Sequence, residues 1–398
     1  MKIAILTSGI LPVPAVQGGA VENLIDFYLA YNNQHRLHDI TIYSVWHPDV
    51  KKHPAQKSEV NHYVYIRVRS LFARIRKKIY QKTHGKEYYH YAIEYFLDQA
   101  LRHLKKRHYD LIVLENRPGY ALKLKDETTA RLVYHLHNEK LSYNSPKAKE
   151  IYDAASVIVS VSDHITRCVQ AILPGDNKCV TVHNGIDLKA FSPITKREIS
   201  RKDVRLSDDD FVIVFSGRIN KEKGISELVD AMLRLKEYAH IRLLVLGSTF
   251  YGNTGINDSY VNLLQKKTKD IENQIIFTGF IPYSQVPDYI RLADAAVIPS
   301  VWDDPFPTTV LEAQAMGLPI IATRRGGIPE EVTEHNAILL DTDDQFVDHL
   351  TSAILDLYDH PEKRAAMAQA SIEHARLFDK DTFAQQFFAA IEKRQMTT

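Results

Sequence analysis

Short runs of β-branched and leucine residues alternate with amphipathic helical stretches along nearly the whole chain, and this alternation constrains the fold more than any other feature. In the first half the runs are Ile3–Thr7, Ile40–Ser44, Leu111–Leu114, Leu132–Leu136, Val157–Val161 and Val180–His183. In the second half they are Val212–Ser216, Arg242–Gly247, Ile275–Thr278, Ala295–Pro299, Ile320–Thr323 and Ala337–Leu340. Continuous apolar runs joined by helices mark parallel strands covered on both faces. The pattern pauses at Phe191-Ser192-Pro193-Ile194-Thr195-Lys196-Arg197-Glu198 and restarts after Ser207-Asp208-Asp209-Asp210. A chain of 398 residues also exceeds the ~250–300 residues at which one core stops growing. The expectation is α/β: two doubly wound parallel-sheet domains, 1–195 and 196–378. A C-terminal helix over 379–398 follows and can pack back on the first domain. Ligands of such sheets sit outside the carboxyl ends of the strands, so two facing domains would share a central cleft.

Charge narrows the function. The 50 basic and 49 acidic residues leave a net charge of +1, too little for the broad basic field that nucleic-acid binding needs. Cys168 and Cys179 are too few for a disulfide framework, and they read as small buried residues of a reducing compartment. The sequence opens directly on a strand-like run, so no signal peptide is expected. No stretch approaches the ~18 apolar residues of a membrane span. A cytoplasmic protein is expected, or one resting on the inner face of the cell membrane.

Three loops fall at strand ends, where chemistry is expected. Gly18-Gly19, followed by Glu22, lies between the first strand and first helix. Glycines there let backbone N–H groups approach a phosphate at a helix N-terminus, although a tight turn would use the same residues. Gly217-Arg218-Ile219-Asn220-Lys221-Glu222-Lys223-Gly224 follows the strand ending at Ser216. Arg218 and Lys223 in a glycine-bounded loop suit a diphosphate, the first as a fork and the second as a point charge; the alternative is a solvated loop. After Pro299 comes a proline-rich loop, and a helix starts near Thr308. Asp304 and Glu312, with backbone donors around Phe306, Pro307 and Thr308, match a polyhydroxylated ligand. Alternatively, Asp303 and Asp304 favour the helix start and Glu312 complements its dipole.

Read together, these motifs resemble glycosyltransferase family 4, retaining enzymes of the GT-B fold (glycosyl transferases group 1). Asp304 and Glu312 fit its Glu-x7-Glu signature. The resemblance extends to the Gly-Gly loop, His-Asn-Gly-Ile-Asp at 183–187, Gly-Arg-x3-Glu-Lys-Gly at 217–224, Glu-Ala-Gln-Ala-Met-Gly-Leu-Pro-Ile-Ile-Ala at 312–322, Gly326-Gly327 and Glu330-Glu331. It implies that Asp304 faces the donor hexose and Glu312 the ribose. It also implies that Arg218 and Lys223 neutralise the diphosphate, helped by Gly19. Asp304 is a departure, since the family usually carries Glu there. The resemblance further places an active-site His at His137, within His135-Leu136-His137-Asn138-Glu139, where the two imidazoles share one strand face without an evident further ligand. No metal or other cofactor is implied. Asp341-Thr342-Asp343-Asp344 contains an Asp-x-Asp, but its place before a helix favours capping.

The resulting expectation is an enzyme transferring a hexose-type sugar from a nucleotide-diphosphate donor to a saccharide or lipid-linked acceptor in glycan or polysaccharide biosynthesis. The alternatives are a nucleotide-sugar epimerase or hydrolase of the same fold, which would need extra acid/base carboxylates in the N-terminal half, where Glu115 and Glu139 lie at strand ends but match no known pattern, and a non-catalytic nucleotide-sugar binder. Between Arg67 and Arg107, twelve Lys/Arg face three acidic residues, Glu87, Glu94 and Asp98, with aromatics interleaved. That stretch suits peripheral contact with an anionic membrane or a lipid-diphosphate acceptor, or it is a solvated face with snorkelling lysines.

Overall fold

The computed structural model describes residues 1–68, 75, 91–194, 199–248 and 259–393. The chain divides into two compact units: Met1–Asn184 with Asp381–Thr398, and Gly185–Lys380.

Unit 1 carries a seven-stranded sheet. Its strands are β1 (Lys2–Leu6), β2 (Asp39–Val45), β3 (Asn61–Ile66), β4 (Leu111–Glu115), β5 (Arg131–Leu136), β6 (Val157–Ser160) and β7 (Cys179–Thr181). They run parallel in the order 3-2-1-4-5-6-7. The helices are α1 (Ala20–His35), α2 (Tyr91–Leu104), α3 (Ala121–Leu124), α4 (Ala148–Ala154) and α5 (Asp163–Gln170). Runs such as Ile3–Leu6 and Leu111–Glu115 are buried throughout because helices cover both faces of a parallel sheet. Helix α5 starts where Ser162 Oγ accepts from the Ile165 N–H, with Asp163 in the first turn favouring the dipole.

Strand β3 is absent from the run pattern above. Its sequence, Asn-His-Tyr-Val-Tyr-Ile, alternates and is only half buried because it lies at the sheet edge. It therefore lacks the continuous apolar stretch of an interior strand.

Unit 2 repeats the plan with six strands: β8 (Phe211–Ser216), β9 (Ile241–Leu246), β10 (Ile275–Gly279), β11 (Ala295–Ile298), β12 (Ile320–Thr323) and β13 (Ala337–Leu340). All pair in parallel, in the order 10-9-8-11-12-13. Its helices are α6 (Ile225–Arg234), α7 (Ser259–Lys267), α8 (Val286–Ile290), α9 (Thr308–Ala315), α10 (Phe346–Asp359) and α11 (Pro361–Ala375). Ile225, Leu228, Val229 and Met232 form a helical stripe on α6. Leu350, Ala353, Ile354 and Leu357 form another on α10, and both belong to the same core.

The units part at Asn184/Gly185, ahead of the boundary read at 195. The polar composition of 191–198 hides the fact that Phe191 is buried and packs on Tyr283 with ring centroids 5.5 Å apart, so the chain already belongs to unit 2 there. Residues 195–198 lie outside the described residues. Near the other end of unit 2, Asp379 bridges to Ile186, and Lys380 pairs with Asp187.

The last helix, α12 (Lys380–Glu392), returns to unit 1. Phe383, Phe387 and Phe388 join the core of Ile3, Ile5, Tyr28, Val113 and Val133. Phe387 stacks on Tyr28 at 4.4 Å. Burying each phenylalanine contributes about 1.5–3 kcal/mol. Cys168 and Cys179 are half-buried rather than enclosed. Among the described residues, no helix is long and apolar enough to cross a membrane.

Candidate active site

In each sheet the strand order reverses between the first and fourth strands of the unit, and that reversal opens a crevice at the carboxyl ends. In unit 2 the crevice lies between β8 and β11. The chain leaves β8 through Gly217, and a short turn at Lys221–Lys223 follows, capped by Asn220, whose Oδ1 accepts from the Lys223 N–H at 3.1 Å. Gly224 ends that turn with φ +69°. A Cβ there would lie 1.8 Å from the Pro299 carbonyl oxygen, so only glycine lets the β8 and β11 loops meet. The Val301 N–H then donates to the Glu222 carbonyl at 3.0 Å.

This contact delivers Lys223 onto Asp304. The two form an ion pair whose side chains are 18% and 6% exposed. Ser300 Oγ also donates to Asp304 Oδ2 at 3.2 Å. The Asp304 backbone is fixed in turn, because its carbonyl accepts from the Gly327 N–H at 2.7 Å. Gly326, at φ +58°, leaves room that a Cβ would close to 2.2 Å from the same oxygen.

Helix α9 begins directly beyond this loop with Pro307 as its cap residue and no side-chain cap, the kind of helix start at which backbone N–H groups can meet an anion. Glu312 sits one turn inside α9. It is buried and accepts from Thr308 Oγ1 at 3.3 Å. Burial pushes its carboxyl up to about 7, against the pull of hydrogen bonds from Thr308 and Tyr283. Phe306 and Pro307 are buried, and the Phe306 ring packs 5.9 Å from Phe378. Arg218 is exposed on its loop and bonds to no described side chain. Lys223 and Asp304 are thus joined directly, whereas Arg218 and Glu312 bond to neither of them.

In the sequence Glu331 stands out only as part of the Glu330-Glu331 match. It is fully enclosed, and neither carboxylate oxygen has a hydrogen-bond partner. Burial, with Asp304 nearby, pushes its carboxyl far up. Asp343 accepts from the Gln345 N–H just ahead of α10, and Asp341 pairs with Arg324, so two carboxylates of the Asp-x-Asp are engaged locally.

In unit 1 the equivalent crevice lies between β1 and β4. Gly18 and Gly19 have φ +75° and +111°. A Cβ on Gly19 would meet the Glu22 carboxylate at 2.2 Å, so a buried acid lies against this loop. Burial pushes Glu22 up to about 7, with Glu115 and Asp26 adding to the shift.

His137 follows β5. Its backbone N–H donates to Asn116 Oδ1 at 3.2 Å, and its Nε2 lies 3.1 Å from Glu115 Oε2. His135 Nδ1 is 3.0 Å from the same oxygen, and Tyr28 Oη donates to Oε1 at 2.9 Å. Glu115 is therefore the third group that the two histidines lacked in the sequence reading. The parallel register that pairs Glu115 with His135 would have revealed it. Burial opposes ionisation of Glu115, yet the two histidines outweigh it and hold the carboxyl at about 2. Burial, then His135, lowers His137 to about 4, so its ring is neutral at pH 7. The three side chains lie within 4.8 Å, close enough to hold a divalent ion, although both ring nitrogens already turn to the carboxylate.

In the basic stretch, Arg69, Arg74, Arg76, Lys77, Lys78, Lys82 and Lys86 lie outside the described residues. The Arg67 guanidinium lies 4.6 Å from the Trp46 ring centroid, and Lys105 pairs with Glu127.

The family profile described as glycosyl transferases group 1 matches residues 196–374, which span the whole Lys223–Asp304–Glu312 region. The chain carries this family's domain over those residues. It is a glycosyltransferase with the GT-B fold. The Bacillus subtilis protein YtcC, named a glycosyltransferase, is 28% identical over 393 residues, covering 96% of this chain and 86% of YtcC. Spore coat protein SA of Bacillus subtilis is 27% identical, covering 99% of this chain and 100% of that protein. Among solved structures, HepE of Anabaena in complex with UDP-glucose superposes with a TM-score of 0.73 at 19% identity, covering 98% of this glycosyltransferase and 99% of HepE.

Proposed function

We propose that this glycosyltransferase is a retaining, metal-independent family 4 enzyme that moves a hexose-type sugar from a nucleoside diphosphate to a saccharide or lipid-linked acceptor. The carrying observation is the enclosed Lys223–Asp304 pair, with Ser300, at the strand-order reversal of unit 2 beside the uncapped start of α9. A departing diphosphate needs positive charge and preorganised donors, and Lys223, Arg218 and the α9 N–H groups offer both. Asp304 accepts from sugar hydroxyls, and Glu312 from the ribose. HepE, seen with UDP-glucose, supports a nucleotide-sugar donor.

In the retaining step the acceptor hydroxyl oxygen forms a bond to the anomeric carbon on the face that the diphosphate leaves. The carbon–oxygen bond to phosphate breaks, and the hydroxyl proton passes to the departing phosphate. Lys223, Asp304 and Glu312 of unit 2 take the donor, and unit 1 takes the acceptor, with His137 as its active-site histidine. Gly18 and Gly19 contribute backbone N–H groups. An epimerase or hydrolase would need a free carboxylate in unit 1; of the two candidates, Glu115 is fully enclosed and already holds Tyr28 and both histidines, while Glu139 is half-buried. The setting is cytoplasmic glycan or polysaccharide assembly, with the basic 67–107 stretch touching an anionic membrane. Pelleting with anionic but not neutral liposomes tests that contact.

A thermal-shift panel of UDP, GDP, dTDP and ADP sugars, run with and without a chelator, tests the donor reading. One class should raise the melting temperature in proportion to the logarithm of its concentration, with the chelator making no difference. No shift from any nucleotide sugar would end the proposal.

A further inference from the structure

Glu115 is shaped to receive hydrogen bonds and is denied water. A carboxylate accepts only, so every nitrogen or hydroxyl facing it must bring a proton. Tyr28 Oη faces Oε1 at 2.9 Å, His135 Nδ1 faces Oε2 at 3.0 Å, and His137 Nε2 faces Oε2 at 3.1 Å. The glutamate side chain and the His135 ring are both wholly buried. Phe387 of α12 stacks on Tyr28 and tilts onto His135 at 4.9 Å, sealing the group from the core side.

We propose that Glu115 is a positioning residue that fixes the His137 ring in one tautomer, with the proton on Nε2 and Nδ1 left as the accepting atom. His137 Nδ1 meets no described partner, and it is not among the enclosed atoms without one, so it is the open side of the ring. The backbone is clamped as well: Asn116, held at φ +55°, accepts the His137 N–H. His135 completes the cradle. Its Nε2 is enclosed with no partner, so a proton there would be an unsatisfied buried donor, and the ring places its proton on Nδ1 toward Glu115. The two rings lie 4.2 Å apart, so protonating both would set two positive charges side by side. The substrate would therefore meet a neutral imidazole nitrogen that accepts a hydroxyl hydrogen, and Glu115 would act only through it. The inference rests on the reading of His137 as the group that meets the sugar.

Long-range proton–nitrogen NMR of the histidine rings tests this, with His137→Gln assigning the signal. The wild-type ring should show the Nε2–H tautomer from pH 6 to pH 8. Glu115→Gln, which can both donate and accept, should give a mixed tautomer and lower kcat at least about tenfold with the donor KM little changed. A wild-type ring carrying its proton on Nδ1, or zinc bound stoichiometrically through these nitrogens, overturns the inference even if Glu115→Gln does not fold. So does a Glu115→Gln enzyme with wild-type tautomer and turnover. Should His137→Gln keep full turnover while Glu115→Gln still changes the tautomer, the assignment of His137 to the reaction fails and the cradle stands.

Discussion

Asp304 is enclosed and has two side-chain partners, Lys223 and Ser300. Breaking a buried pair by removing one member typically costs about 3–5 kcal/mol, because the remaining charge is stranded. Lys223→Ala should therefore lower the melting temperature as well as turnover, and its lost activity alone would not isolate a role with the diphosphate. Arg218 separates the two effects, since it is exposed and holds no described side chain. Arg218→Ala should melt within about 0.5 kcal/mol of wild type yet turn over roughly a hundredfold more slowly. Wild-type kcat in that variant would remove Arg218 from the leaving-group site. Glu312 gives a pH signature. Its carboxyl is raised from 4.5 to about 7, so between those values the folded protein holds a proton that the unfolded chain has released. Stability from this group is full at low pH and declines as pH rises toward 7. Glu312→Gln mimics the protonated form. It should match wild type at pH 4 and be the more stable protein at pH 8, by an amount on the order of 3 kcal/mol. Equal melting of the two at both pH values would show that Glu312 ionises freely.

Among elements, interior strands announce themselves because burial on both faces demands unbroken apolar runs, as in Ile3–Leu6 and Ile320–Thr323. The edge strand β3 does not, since one-sided cover leaves His62 exposed and the tyrosines half-buried. The loops that carry Lys223 and Asp304 were readable from glycine and charge at strand ends. Their contact was not, because it depends on β8 and β11 lying side by side although Ser216 and Ala295 are far apart in sequence. Glu115 was hidden for the same reason: its partners Tyr28 and His135 come from α1 and β5. Gly224 marks where two such elements touch. Gly224→Ala combines a left-handed φ with a Cβ 1.8 Å from Pro299 O, so the β8 loop must move away. The expected result is a loss of stability of more than about 1 kcal/mol, together with a loss of donor-induced thermal shift. Gly175→Ala is the control: its φ is +90°, but open space surrounds the new Cβ. It should cost stability through backbone strain alone and leave the donor shift intact. Equal donor shifts in both variants would mean that the β8–β11 contact does not shape the site.

At the scale of the molecule, unit 1 is assembled from both ends of the chain while unit 2 is continuous. Residues 1–184 carry all seven strands of their sheet, but the face beneath Tyr28 is covered by Phe383, Phe387 and Phe388 of α12. At about 1.5–3 kcal/mol for each buried phenylalanine, those three side chains are comparable with the ~5–15 kcal/mol that holds a whole domain together. A chain emerging from its N-terminus must therefore complete unit 2 before unit 1 can close its core. Produced alone, residues 185–380 should melt as one cooperative unit, because every strand of their sheet and the core of α6 and α10 lie within them. Residues 1–184 alone should show a broad, low transition, and a peptide of residues 380–393 added in trans should sharpen and raise it in proportion to its concentration. That rescue should fail when Phe387 in the peptide is replaced by alanine, a change that typically costs about 3–5 kcal/mol in a packed core. A sharp, peptide-independent transition for residues 1–184 would show that the returning helix covers unit 1 without being needed to build it.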